Sequence, residues 1–156
     1  MKENKTEHKT KNRLLEYNRI IKENEDIYRG LAKRMGLSEC SFWILYILRT
    51  EYTAPVQREI CAHLHEPKQS INSALKKMEA DGYIELVCGD DRRSKQILLT
   101  PRGTAVCENT IDRVVQAECS AFGALLDEEQ ETFLHLFHKL TDLLKEQMEE
   151  ITQRKQ

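Results

Sequence analysis

The sequence predicts a mainly helical protein carrying one small β-hairpin, and three observations lead there. Proline and glycine are scarce, at three and six of 156 residues, which leaves long stretches free of helix breakers. Apolar residues recur at helical spacing near both ends of the chain, the signal of amphipathic helices. Between them, two short apolar runs, "YIELV" and "KQILLT", flank the charged connection "CGDDRRS", as in a two-stranded hairpin.

The first dozen residues are strongly charged and are expected to form a solvated, frayed tail. From Leu14 onward, Tyr17, Ile20, Ile21, Ile27, Tyr28 and Leu31 make one helical stripe. That helix should stop near Gly36, after Lys33 and Arg34 in its last turn. Next, "LSECSFWILYILRTE" offers Ser38 or Ser41 as a cap and is apolar almost all round from Phe42 to Leu48, so it is expected to be buried. In "YTAPVQREICAHLHE", Thr53 precedes Pro55, and Ile60, Cys61 and Leu64 form the inward edge of a short helix.

"EPKQSINSALKKMEADG" follows. Glu66 sits where a cap belongs and Pro67 at the first helical position, where a missing N–H costs nothing. Ile71, Ala74, Leu75 and Met78 share one face; Lys68, Gln69, Asn72, Ser73, Lys76 and Lys77 share the other. Gly82 ends this helix. A helix starting at residues 100–102 is expected to run to about residue 125. Asp127 then caps a last helix, whose three opening acids suit the positive end of the macrodipole. Its Phe133, Leu134, Phe137, Leu140, Leu143, Leu144 and Met148 form a long apolar stripe.

Composition narrows the class. Apolar content is 40 % and charged content 32 %, outside the disordered and membrane-spanning ranges. No apolar run approaches the ~20 residues that cross a bilayer, and the charged "MKENKTEHKTKNR" lacks the apolar core of a secretory signal. Five cysteines, at positions 40, 61, 88, 107 and 119, show no paired spacing, which points to a reducing, cytoplasmic setting. Cys61, His63 and His65 do not share one helical face and lack a fourth ligand for zinc. His135 and His138, three apart on the last helix, fit the border of an interface better than a metal site. No metal or cofactor is expected, and no catalytic motif is present, so an enzyme is not expected. The net charge of −2 hides a gradient. Residues 1–51 carry eleven Lys/Arg against eight Asp/Glu, residues 52–103 eight against seven, and residues 104–150 three against eleven.

The central segment carries the functional signal. Two helices joined by the tight turn "LHEP" make a helix-turn-helix whose second member would read DNA. Gln69, Ser70, Asn72 and Ser73 are small or amide-bearing where close approach to bases is needed, and Gln and Asn can bond adenine bidentately. Lys68, Lys76 and Lys77 suit phosphates. At the hairpin tip, Arg92, Arg93 and Lys95 could enter a minor groove, with Asp91 aiming an arginine. Helix, turn, polar helix and Arg-tipped ribbon together spell a winged helix-turn-helix. The acidic C-terminal segment would face away from DNA.

The run "IELVCGDDRRSKQILLTPRG" resembles the wing of the MarR family of bacterial transcription regulators. That family's signature, an Asp-x-Arg, a basic residue and then Leu-Thr-x-x-Gly, falls on Asp91, Arg93, Lys95, Leu99, Thr100 and Gly103. The resemblance implies one domain over 1–156, with a DNA-binding lobe at about 38–101 and dimerisation helices at about 12–36 and 104–152. It implies Asp91 pairing with an Arg to brace the wing and Arg93 in the minor groove. It also implies an effector site between dimer interface and DNA lobes. The apolar stripe of the last helix, without an evident partner in a winged lobe, independently suggests a homodimer.

The expected function is therefore a sequence-specific transcriptional regulator, a repressor on a palindromic operator. A small-molecule or redox signal would release it. Tyr17, Tyr28, Trp43 and Tyr46 are candidates to line the effector pocket, and Cys40 is the redox candidate. The alternative is a winged-helix module that binds an acidic protein partner instead of DNA.

Overall fold

A computed structural model of the chain describes residues 2–51, 54–88 and 95–153. They fall into two compact units, one ending at Asp112 and the other beginning at Arg113.

The first unit opens with α1 (Lys2–Arg34). The expected frayed tail is instead the first turns of this helix, whose sequence holds no proline and no glycine before Gly30 to break it. The helix ends at Gly36, where the Leu37 N–H donates to the Ala32 carbonyl (3.0 Å) and the Gly36 N–H to that of Lys33 (3.1 Å). Helix α2 (Glu39–Thr50) follows, capped by Ser38, whose hydroxyl accepts from the Ser41 N–H at 3.1 Å. As expected, α2 is largely buried: Phe42, Ile44 and Leu45 are fully enclosed.

Helix α3 (Gln57–Leu64) is entered by an extended segment pinned to the hairpin. The Ile97 N–H donates to the Pro55 carbonyl at 2.9 Å, and Val56 bridges Gln96. Glu59 reaches back to accept from the Val56 N–H at 2.9 Å. Helix α3 ends at His65 in left-handed backbone (φ 51°), and the chain turns directly into α4 (Lys68–Ala80). Here the expected start is off by one residue. Pro67, not Glu66, is the cap, with extended backbone (ψ 137°), and no side chain caps the helix. A proline restricts the residue before it to extended backbone, which keeps Glu66 out of the helix.

Strands β1 (Ile84–Cys88) and β2 (Lys95–Leu99) pair antiparallel, with Ile84 opposite Leu99 and Leu86 opposite Ile97. Ile84 and Ile97 point into the core, where they join Ile60 of α3 and Ile71 and Met78 of α4. Each such side chain contributes about 1.5–3 kcal/mol by leaving water. These residues hold α3, α4 and the hairpin as one body.

The expected single helix to about residue 125 is two helices, α5 (Pro101–Asn109) and α6 (Ile111–Phe122). They break at Thr110, which has φ −128° and ψ −78°. Its hydroxyl donates to the Val106 carbonyl (2.6 Å), and the Asn109 amide donates to that of Ala105 (2.8 Å). Side-chain bonds of this kind compete with the helical ladder. In the second unit, α7 (Asp127–Gln153) is one long helix. Asp127 is its first residue rather than its cap. Glu129 does the capping by accepting from the Leu126 N–H at 2.9 Å, because its longer side chain reaches back across the turn.

Candidate nucleic-acid interface

The surface of α4 splits along its length as the spacing requires. Ile71, Ala74, Leu75 and Met78 are buried, whereas Lys68, Gln69, Ser70, Asn72, Ser73, Lys76 and Lys77 are exposed. The polar face is almost unused by the fold. Lys77 meets Asp81 at 3.0 Å on the same helix, an exposed pair worth little. The start of α4 is steadied by Gln57 of α3, whose amide donates to the Lys68 carbonyl at 3.4 Å.

The hairpin rises beside this helix. Lys95 is exposed at its outer end, opposite Cys88. Asp91, Arg92 and Arg93, singled out at the tip, lie outside the described residues. The base of the hairpin explains the Leu-Thr-x-x-Gly run in physical terms. The Thr100 hydroxyl donates to the Gly82 carbonyl at 2.6 Å and accepts from the Gly103 N–H at 3.0 Å. One side chain thus caps α5 and ties it to the end of α4. Gly82 itself has φ +73°, which a side chain would strain. Gly103 packs so tightly that a Cβ there would lie 1.9 Å from the Tyr83 carbonyl oxygen. The Arg102 guanidinium lies 5.5 Å from the centre of the Tyr83 ring, over its face.

A second tie was not legible. Arg49 of α2 grips Asp112 at the start of α6 through two hydrogen bonds, 2.7 Å from Nε and 2.5 Å from Nη2. The bond from Arg49 holds the Asp112 carboxyl below its ordinary range. The partners are 63 residues apart, so no local pattern announces them.

The effector candidates separate. Tyr28, Trp43 and Tyr46 gather with Phe42 in a ring cluster, Tyr28–Trp43 at 5.0 Å and Trp43–Tyr46 at 5.4 Å between centroids. Tyr17 enters none of these ring contacts. Cys40 is half-buried, and burial, then Glu66 and Cys61, push its thiol up. A sensor thiolate needs the opposite shift. Cys107 is fully buried, and burial pushes its thiol up to about 11. Of the cysteine–histidine group, His63 lies 3.1 Å from Glu51 and His65 serves as the left-handed turn residue.

A polar-faced helix packed against a two-stranded ribbon after a short helix and turn defines a winged helix-turn-helix fold. Residues 41–94 match the model of the MarR family. The HTH-type transcriptional regulator YwoH of Bacillus subtilis is 29 % identical over 103 residues, 65 % of this chain and 74 % of the relative. NMB1585, a MarR family regulator from Neisseria meningitidis, superposes with a TM-score of 0.75 at 22 % identity, over 88 % of this chain and 97 % of that one. The MepR–DNA complex of S. aureus gives a TM-score of 0.67 at 18 % identity, over 82 % and 93 %. The stretch from 41 to 94 is thus similar to the MarR family, the chain shares the winged-helix fold of solved MarR regulators, and the curated relatives it matches are HTH-type transcriptional regulators.

Proposed function

We propose that the chain is a homodimeric repressor that binds a palindromic operator in double-stranded DNA and is released by a small-molecule or redox signal. The observation that carries the DNA reading is the exposed amide-and-lysine face of α4, which the fold leaves free. MepR, of the same fold, is solved as a DNA complex, and so is a Listeria monocytogenes regulator, with a 26mer.

Gln69, Ser70, Asn72 and Ser73 read base edges, while Lys68, Lys76 and Lys77 hold phosphates. Arg92, Arg93 and Lys95 carry the wing contact, with Asp91 as its brace. The dimer rests on unpartnered apolar surface. No residue of α7 is buried, and Phe133, Leu134, Phe137 and Leu144 are among those exposed. Leu14, Leu15, Ile20 and Ile27 are likewise exposed on α1. Two-fold symmetry then places half-sites about one helical turn apart, roughly 34–36 Å. Among the described residues no helix is long and apolar enough to cross a membrane, which accords with a cytoplasmic regulator.

A mobility shift on DNA from upstream of its own gene tests this reading. The parent should shift that fragment at physiological salt, and Arg93→Ala should bind more weakly with a salt slope lower by about one. No shift even at low salt would contradict the proposal and favour a protein-binding role for the winged lobe.

A further inference from the structure

A cleft of about 440 Å³ opens between the start of α2, the end of α3 and the first turn of α4. We propose that it binds an organic cation with an aromatic or apolar body. Trp43 and Leu64 supply its apolar wall, while Glu39 and Glu66 supply carboxylates. Glu66 has no ion-pair partner among the described residues, and its charge helps raise the Cys40 thiol, which shares the cleft.

The surrounding charges do not cancel. Glu39 lies 3.4 Å from Arg29, which also pairs with Asp26. His63, at the cleft wall, pairs with Glu51. Of the lining side chains, two carboxylates, Glu39 and Glu66, therefore stand against one histidine, which is itself engaged by Glu51, and Arg29 reaches only Glu39. An anionic guest would meet that excess, whereas a cation would relieve it.

Trp43 gives the second half of the recognition. It is held edge-on to Phe42 at 5.1 Å and to Tyr46 at 5.4 Å, with Tyr28 at 5.0 Å. A fixed indole face attracts cations through its quadrupole, most strongly where water is partly excluded. Neutral Cys40 adds wall without adding charge.

The cleft also touches the reader. Ser70 lines it and lies on the exposed face of α4. A bound cation would obstruct the first turn of that helix, so occupancy and DNA binding oppose each other. This coupling rests on the DNA-binding proposal; the cation site does not.

Trp43 is the only tryptophan, so tryptophan emission reports on the cleft directly. The full chain, without DNA, is titrated with tetraphenylphosphonium and with tetraphenylborate, a guest of the same shape and opposite charge. The phosphonium should change the emission saturably and the borate should not. Glu66→Gln should weaken phosphonium binding about fivefold, the size of one partly screened charge pair. Circular dichroism checks that the variant folds. An equal response to the borate, or parent-like affinity in both Glu66→Gln and Glu39→Gln, would overturn the site. A mobility shift is then run with and without saturating phosphonium. Loss of the shifted band supports the coupling, and an unchanged band overturns it. A parent that never shifts DNA overturns the regulator reading and with it the coupling, while the emission titration still decides the site.

Discussion

At the scale of single residues, the wing is anchored by Thr100 and Gly103. Thr100 joins two elements with one hydroxyl, and Gly103 lets α5 pass against the Tyr83 backbone. Alanine in a helix ordinarily gains up to ~1 kcal/mol over glycine. Here the added methyl would strike a carbonyl oxygen at 1.9 Å, and backbone cannot step aside cheaply. Gly103→Ala should therefore lower stability by about 2 kcal/mol in chemical denaturation. Asp112 gives a pH signature. Its folded-state carboxyl lies below the ordinary value because Arg49 donates to it. The stabilisation is present above the unfolded value near pH 4 and is lost as pH falls through the folded value. Both side chains are about a third exposed, at 30 % and 37 %, so the contribution is about 1 kcal/mol. Asp112→Asn should cost that much at neutral pH, and the gap from the parent should close in acid, as read from denaturation midpoints across pH.

At the scale of elements, periodicity predicted what it physically encodes. The division of α4 into Ile71, Ala74, Leu75 and Met78 against the lysines and amides was readable because helical geometry alone fixes it. The hairpin strands were placed to within a residue because two short apolar runs bound a charged connection. What escaped were features set by one hydrogen bond or by distant contacts. The break at Thr110 depends on side-chain bonds to Val106 and Ala105 that leave no mark in hydropathy. The starts of α4 and α7 turned on which neighbour capped. The Arg49–Asp112 tie and the cleft at Trp43 join residues far apart in sequence, so no window of the chain contains them. At the candidate interface, residue types were legible on α4, while Asp91, Arg92 and Arg93 are known from sequence alone.

At the scale of the whole molecule, the acidic segment and the exposed apolar stripe lie on the same helices, α6 and α7. A face of that kind suits a partner helix at its centre and repels phosphate at its margins. Phe137→Asp should shift the chain toward monomer in sedimentation velocity and, with the second reader gone, weaken operator binding by more than tenfold.

The central claim is that α4 reads bases with its amides and grips phosphates with its lysines. Fluorescence anisotropy of an operator fragment and a scrambled fragment, over a range of salt, tests it most directly. Asn72→Ala should reduce the preference for operator and leave the salt slope unchanged. Lys76→Ala should weaken both fragments alike and lower the slope by about one. Parent-like binding in both variants would contradict the account.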